Sequence, residues 1–203
     1  MSLYKNRDKF RGFSVKVGII FSKFGLSPNQ WTLLAIIPTL FAIYFLIKEQ
    51  FLFAAAFLII SAFFDLIDGS VARVMGKVSK IGAYLDTIMD RYIEGLIAFG
   101  LLFCTLPVVL LPTYFWIFAY FFGSFMTTYA KSAAKEKELV ENELRGGLLE
   151  RAERLIILFI GILLAHIDPL YLAYTIVVLA ILTNVSALQR MWIVTREKSI
   201  NMV

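Results

Sequence analysis

Four aspartates, Asp65, Asp68, Asp86 and Asp90, interrupt two long apolar stretches of this 203-residue chain. The first pair sits in Asp-Leu-Ile-Asp-Gly-Ser-Val-Ala-Arg. The second follows eight residues later in Gly-Ala-Tyr-Leu-Asp-Thr-Ile-Met-Asp. Spacings of three and four place each pair on one face of a helix. A carboxylate at membrane depth is costly and marks a site with a partner. Burial and mutual repulsion leave three outcomes: protonated and packed, a proton pathway, or ligation of divalent cations. Oxygen-only donors suit Mg²⁺, Mn²⁺ or Ca²⁺ and argue against zinc, because no His or Cys lies nearby in the sequence. Four carboxylates from two helices match two ions better than one. Two such ions can clamp a phosphoryl centre and neutralise its leaving group.

The residues between the pairs add a second chemistry. Gly69, Ala72 and Gly82 are small. Glycine inside a helix costs stability, so here it is read as opening room for a ligand beside the backbone. Arg73 follows, where a guanidinium can grip phosphate. Close helix packing would also use small residues. Beside four aspartates, the phosphate-containing ligand is the preferred reading.

The elements that must position these groups are membrane helices. The chain is 60% hydrophobic and only 17% charged, and its mean hydropathy is +0.78, more apolar than a soluble domain of this size requires. The sequence predicts an all-α polytopic protein with six spans, at 31–47, 51–72, 81–105, 108–131, 154–167 and 168–189. Lys and Arg gather before the first span, after the second, fourth and sixth, and almost nowhere else. The positive-inside rule then puts both termini in the cytoplasm of a cell-membrane protein. Residues 4–24 mix basic with aromatic and aliphatic residues, which predicts an amphipathic helix in the cytoplasmic interface rather than a nucleic-acid arm. The expected division is a juxtamembrane segment, 1–30, and a six-helix membrane domain, 31–203. No secretory signal peptide is evident. One cysteine, Cys104, excludes a disulfide framework. Counted from the charged end at Lys80, Asp86 and Asp90 lie about 9 and 15 Å into the third span. Asp65 and Asp68 lie at similar depth in the second. All four can meet in the cytoplasmic half of the bilayer, so the site is expected to face the cytoplasm.

The complete pattern D-x-x-D-G-x-x-A-R-x8-G-x-x-x-D-x-x-x-D, from Asp65 to Asp90, resembles the signature of the CDP-alcohol phosphotransferases. Pro28-Asn29-Gln30-Trp31-Thr32 resembles the P-N-x-x-T element of their first span. The resemblance covers nearly the whole chain. It implies transfer of a substituted phosphate from a CDP-linked lipid to an alcohol, with release of CMP, in phospholipid biosynthesis. It implies that Asp65, Asp68, Asp86 and Asp90 hold two divalent cations, Mg²⁺ or Mn²⁺, and that Asp90 is also the general base. It further implies a nucleotide pocket of Asn29, Thr32, Asp68, Gly69, Ala72, Arg73 and Gly82. A homodimer is expected on the same ground.

Further cations stand at helix ends expected on the same side: Lys131, Arg151, Arg154 and Arg190. Each alone has a snorkelling alternative. Together they predict a pocket for a second phosphate, on the acceptor. The elements Thr-Tyr-Ala-Lys, Glu-Arg-Ala-Glu-Arg-Leu and Gln-Arg resemble the branch that uses inositol phosphate as acceptor. Residues 133 and 134 are alanines, so a second basic residue after Lys131 comes only at Lys135. A di-inositol-phosphate, glycerol-phosphate or serine type of acceptor is the alternative within the family. The rival class is a cation- or proton-coupled transporter, disfavoured because no inverted repeat is detectable and the polar residues cluster toward one side. Glu94, one turn beyond Asp90, reads either as support for the site or as a salt-bridge partner of Arg91. His166 and Asp168 read as turn residues.

Overall fold

The computed structural model describes residues 7–140 and 149–201, with side chains described over 12–140 and 149–196. The described residues are helical, apart from turns and an isolated bridge between Val109 and Leu111. Among the described residues the helices are, in order, α1 Arg7–Ser22, α2 Pro28–Leu34, α3 Ile36–Ile47, α4 Phe51–Val74, α5 Lys80–Leu101, α6 Thr113–Glu136, α7 Arg151–Ala165 and α8 Pro169–Asn201. They form two compact units. One comprises α1 to α5 as far as Ile97, without the α3–α4 turn. The other comprises that turn, Leu46–Leu52, and the chain from Ala98 onward.

In the first unit, Ser27 starts α2 with a capping box. Gln30 N–H donates to Ser27 Oγ at 3.4 Å and Ser27 N–H donates to Gln30 Oε1 at 2.8 Å. Pro28 occupies the first helical turn, where its missing N–H costs nothing. The expected first span is broken at Ala35 into α2 and α3. Pro38 explains the break. It cannot donate to the Leu34 carbonyl, and its ring crowds that carbonyl.

The turn between α4 and α5 sets the geometry of the site. Gly76 takes φ +62°. Lys77 N–H reaches back to Ala72 O at 2.9 Å, and Gly76 N–H to Arg73 O at 3.4 Å. This is a Schellman closure, which needs the left-handed conformation that glycine adopts without strain. Ser79 then caps α5, accepting from Gly82 N–H at 3.0 Å. Helix α1 packs on α4. A Cβ at Gly18 would fall 2.5 Å from the Ser70 carbonyl oxygen, so only glycine permits this approach. Val17 is buried there with Trp31, Ile67 and Val71.

In the second unit α8 packs against α6 and α7. A Cβ at Gly123 would strike Thr183 and Asn184, and one at Gly161 would strike Thr175, the small-residue contact common between membrane helices. Asn184 Nδ2 also donates to Ala119 O at 2.8 Å. Glu150 and Glu153 form a capping box at the start of α7. As expected of turn residues, His166 ends α7 and Asp168 Oδ1 accepts from Leu170 N–H at 2.8 Å. Thr105 N–H donates to Glu49 Oε1 at 2.7 Å and holds that carboxylate below its usual range.

Among the described residues, three helical stretches are long and apolar enough to cross a bilayer: Pro28–Ile47, Phe51–Val74 and Pro169–Arg196. In α5, Asp86, Asp90, Arg91 and Glu94 fall within nine residues and lower its apolar character. Helix α7 has 15 residues, about 22 Å at the helical rise. Some ends differ from expectation. Helix α5 stops at Leu101 rather than 105, and α6 begins at Thr113 behind Pro112 rather than at 108. The expected interfacial segment begins before the described residues; from Arg7 it is the helix α1.

Candidate active site

Asp65 and Asp68 project from the second half of α4, and Asp86 from the first half of α5. Oxygens of these three carboxylates lie within 4.8 Å of one another. Asp65 and Asp86 are half-buried, while Asp68 is 6% exposed. Asp68 Oδ2 accepts from the equally buried Thr32 Oγ1 at 2.6 Å. Three hard-oxygen donors this close fit a divalent cation, and the Thr32 hydroxyl on Asp68 resembles the outer hydrogen-bond support of metal ligands. Asp90 follows one turn after Asp86, half-buried, outside the set of three. Beyond it Glu94 is buried, and its carboxylate pairs with Arg91 at 3.0 Å.

A cleft of about 320 Å³ opens beside these carboxylates. All seven residues of the expected nucleotide pocket line it: Asn29, Thr32, Asp68, Gly69, Ala72, Arg73 and Gly82. Asp86 lines it as well. The glycine at 82 is a spatial necessity. A Cβ there would lie 3.3 Å from Asn29 Oδ1 and 3.2 Å from Ser79 Oγ. Arg73 is exposed at the end of α4 and donates from Nη2 to Ser14 Oγ at 2.7 Å. Sequence reasoning missed Lys77, Ser79 and Ala83 in the lining. A signal for Ser79 was present, since a serine three residues before Gly82 has N-cap spacing.

The expected acceptor cations belong to the second unit. Arg154 is 2% exposed and Arg190 is 7% exposed, which excludes snorkelling to water for both. They converge on Thr127 of α6. Arg154 Nη1 donates to its hydroxyl at 3.4 Å, and Arg190 Nη1 to its carbonyl oxygen at 2.8 Å. Arg190 Nε is buried with no hydrogen-bond acceptor among the described residues. Lys131, one turn beyond Thr127, and Arg151, one turn before Arg154, are half-buried. Thr127 was not foreseen, because no motif marks a residue that serves two arginines through its own backbone and hydroxyl.

A helical membrane fold with an acidic, glycine-opened cleft defines a class, and comparison with known proteins gives that class its family. The family model for CDP-alcohol phosphatidyltransferase matches residues 26–201. The archaetidylinositol phosphate synthase of Pyrococcus horikoshii is 32% identical over 193 residues, which cover 94% of this chain and 95% of that one. The crystal structure of Mycobacterium tuberculosis phosphatidylinositol phosphate synthase in complex with manganese and citrate is similar with a TM-score of 0.80 at 25% identity. That match covers 89% of this chain and 88% of the other. The same enzyme with CDP-DAG bound shares the fold, with a TM-score of 0.79. The chain belongs to the CDP-alcohol phosphatidyltransferase family. It is a membrane phosphotransferase of CDP-alcohol substrates.

Proposed function

We propose that this enzyme transfers a lipid phosphate from a CDP-linked lipid to inositol phosphate and releases CMP. The observation that carries the donor side is the cleft. The small residues of the signature, Asn29 and Arg73 line one space with Asp68 and Asp86. Asn29 and Thr32 flank the nucleotide, Gly69, Ala72 and Gly82 let it approach the helices, and Arg73 pairs with phosphate oxygen. Asp65, Asp68, Asp86 and Asp90 would hold two divalent cations, Mg²⁺ or Mn²⁺. When bound, these draw charge from the pyrophosphate and make CMP a better leaving group. Asp90 accepts the proton of the acceptor hydroxyl. That oxygen bonds to the lipid-side phosphorus, the bond from phosphorus to the CMP oxygen breaks, and CMP leaves with the electron pair.

The acceptor reading rests on the second unit. Two buried arginines converge on Thr127, and one keeps a buried donor without an acceptor. Buried polar groups are ordinarily satisfied. A phosphate on the acceptor, held by Arg154 and Arg190 with Lys131 and Arg151, supplies what Arg190 Nε lacks. The inositol-phosphate product of the Pyrococcus relative supports the same class. The fold is read as six spans with both termini in the cytoplasm, α1 in the interface, the cleft facing the cytoplasm and two copies forming a dimer. The charge asymmetry of the loops and the exposed Phe13, Val15, Ile19 and Ile20 of α1 support the topology.

Purified enzyme is assayed for CMP release from CDP-archaeol and CDP-diacylglycerol against inositol phosphate, inositol, glycerol phosphate and serine. Rapid release only with inositol phosphate and Mg²⁺ or Mn²⁺, lost in excess chelator, is the expected result. Full activity in chelator would sink the metal reading. Good use of unphosphorylated inositol or serine would sink the acceptor reading alone.

A further inference from the structure

We infer that Ser14 of α1 is a positioning residue that holds Arg73 in place for the donor phosphates. This rests on the reading of the cleft as the nucleotide pocket. Arg73 is exposed and ends a long side chain, so it would otherwise sample many rotamers before meeting phosphate. Its guanidinium is instead drawn over Gly69, where a Cβ would lie 3.4 Å from Nη1. Nη2 donates to Ser14 Oγ at 2.7 Å and lies 3.4 Å from Ser70 Oγ. The two serine hydroxyls are 2.8 Å apart. A hydroxyl can donate once and accept twice. Ser14 can therefore donate to Ser70 and accept from Arg73 at the same time.

The contact is built into the helix packing. Ser14 and Gly18 are four apart on α1 and share a face. Gly18 has no Cβ, which lets α1 lie against the Ser70 carbonyl and brings Ser14 one turn earlier to Ser70 and Arg73. Val17 is buried beside this contact with Ile67 and Val71, so packing fixes the register of α1. Pre-ordering Arg73 lowers the conformational cost of capturing phosphate. The effect belongs to donor binding, because neither serine lies among the four aspartates expected to carry the chemistry.

The test measures CMP release against CDP-lipid concentration for full-length enzyme in mixed micelles, with acceptor and Mg²⁺ saturating. Ser14→Ala is expected to raise donor KM roughly threefold to tenfold, the size of one lost hydrogen bond, with kcat changed less than about twofold. Alanine is the strongest helix former, so α1 is retained. Ser14→Thr keeps a hydroxyl and restores the wild-type KM. In an Arg73→Ala background, Ser14→Ala adds nothing. If Arg73→Ala leaves donor KM unchanged, the underlying cleft reading fails. If Arg73→Ala raises KM but Ser14→Ala does not, or Ser14→Ala acts equally without Arg73, the positioning role is overturned. A lower KM in Ser14→Ala would overturn it too, because Ser14 would then hold Arg73 away from the donor.

Discussion

Replacing Thr32 with valine separates two roles for a residue that sequence places in the nucleotide pocket. In the structure the Thr32 hydroxyl lies 2.6 Å from Asp68 Oδ2, and both residues are 6% exposed. The same oxygen is 3.2 Å from Pro28 O, but its single proton serves the shorter contact to the carboxylate. Valine keeps the shape and removes only the donor. A hydrogen bond to a charged group contributes about 1.5–3 kcal/mol. Little water reaches this site to replace it. At about 1.4 kcal/mol per factor of ten, the range corresponds to about 10- to 150-fold. Outer partners of metal ligands cost about 10- to 100-fold in affinity when removed.

The effect should therefore appear in the metal dependence. Thr32→Val is expected to raise the Mg²⁺ concentration for half-maximal CMP release by about 10- to 100-fold at saturating donor. Thr32→Ser, which retains the hydroxyl, should recover most of it. A half-activating Mg²⁺ concentration within about twofold of wild type would refute an argument built on this Asp68 bond. If donor KM alone rises, Thr32 acts on the nucleotide directly.

Three further outcomes follow from the same geometry. Asp90→Asn keeps size and an oxygen but not the basic carboxylate; donor binding should persist while turnover falls by about 10²-fold or more, measured by single-turnover CMP release. Gly82→Ala gains up to about 1 kcal/mol of helix propensity, while its Cβ presses on Asn29 and Ser79 at 3.3 and 3.2 Å. Thermal stability should hold or rise as donor KM increases, and an unchanged KM would remove Gly82 from the nucleotide pocket. Arg190→Ala should raise acceptor KM, or abolish activity, while equilibrium binding of CDP-lipid stays near wild type. An equal loss of donor binding would place Arg190 outside a dedicated acceptor pocket.

Helical spacing made much of the acidic site legible. Asp65 and Asp68 had to share a face, as did Asp86 and Asp90, whatever surrounds them. Three of the four do converge, and the seven residues expected around the nucleotide line one cleft. The break at Ala35 was less legible, although Pro38 carries its cause, because apolar content continues unchanged through both halves. The Thr32–Asp68 bond joins residues 36 positions apart, and nothing in a threonine announces which carboxylate it will meet. In α1, the alternation of basic and apolar residues predicts a bilayer surface. Ser14 and Gly18 also make a helix contact with α4, a use of small residues that local amphipathicity does not encode.

The proposed donor and acceptor sites differ in how far a sequence records them, and the difference has one physical origin. The cleft residues from Asp68 to Asp86 lie on two successive helices joined by a short turn. A left-handed Gly76 and a capping Ser79 fix that turn. Local rules of helix termination therefore carry most of the geometry, and a linear pattern can record it. The arginines arrive on α7 and α8 and both meet Thr127 on α6. Their burial depends on how three helices pack, and short motifs such as Glu-Arg-Ala-Glu-Arg-Leu cannot specify that. Lone lysines and arginines at helix ends usually reach for water. Arg154 and Arg190 do not, because a threonine carbonyl and hydroxyl on a neighbouring helix offset part of their desolvation, and the buried Arg190 Nε keeps a free donor, the one the proposed acceptor phosphate would meet. Chemistry set by adjacent turns is visible in a sequence, whereas chemistry set by packing among three helices becomes visible only when the helices are seen together.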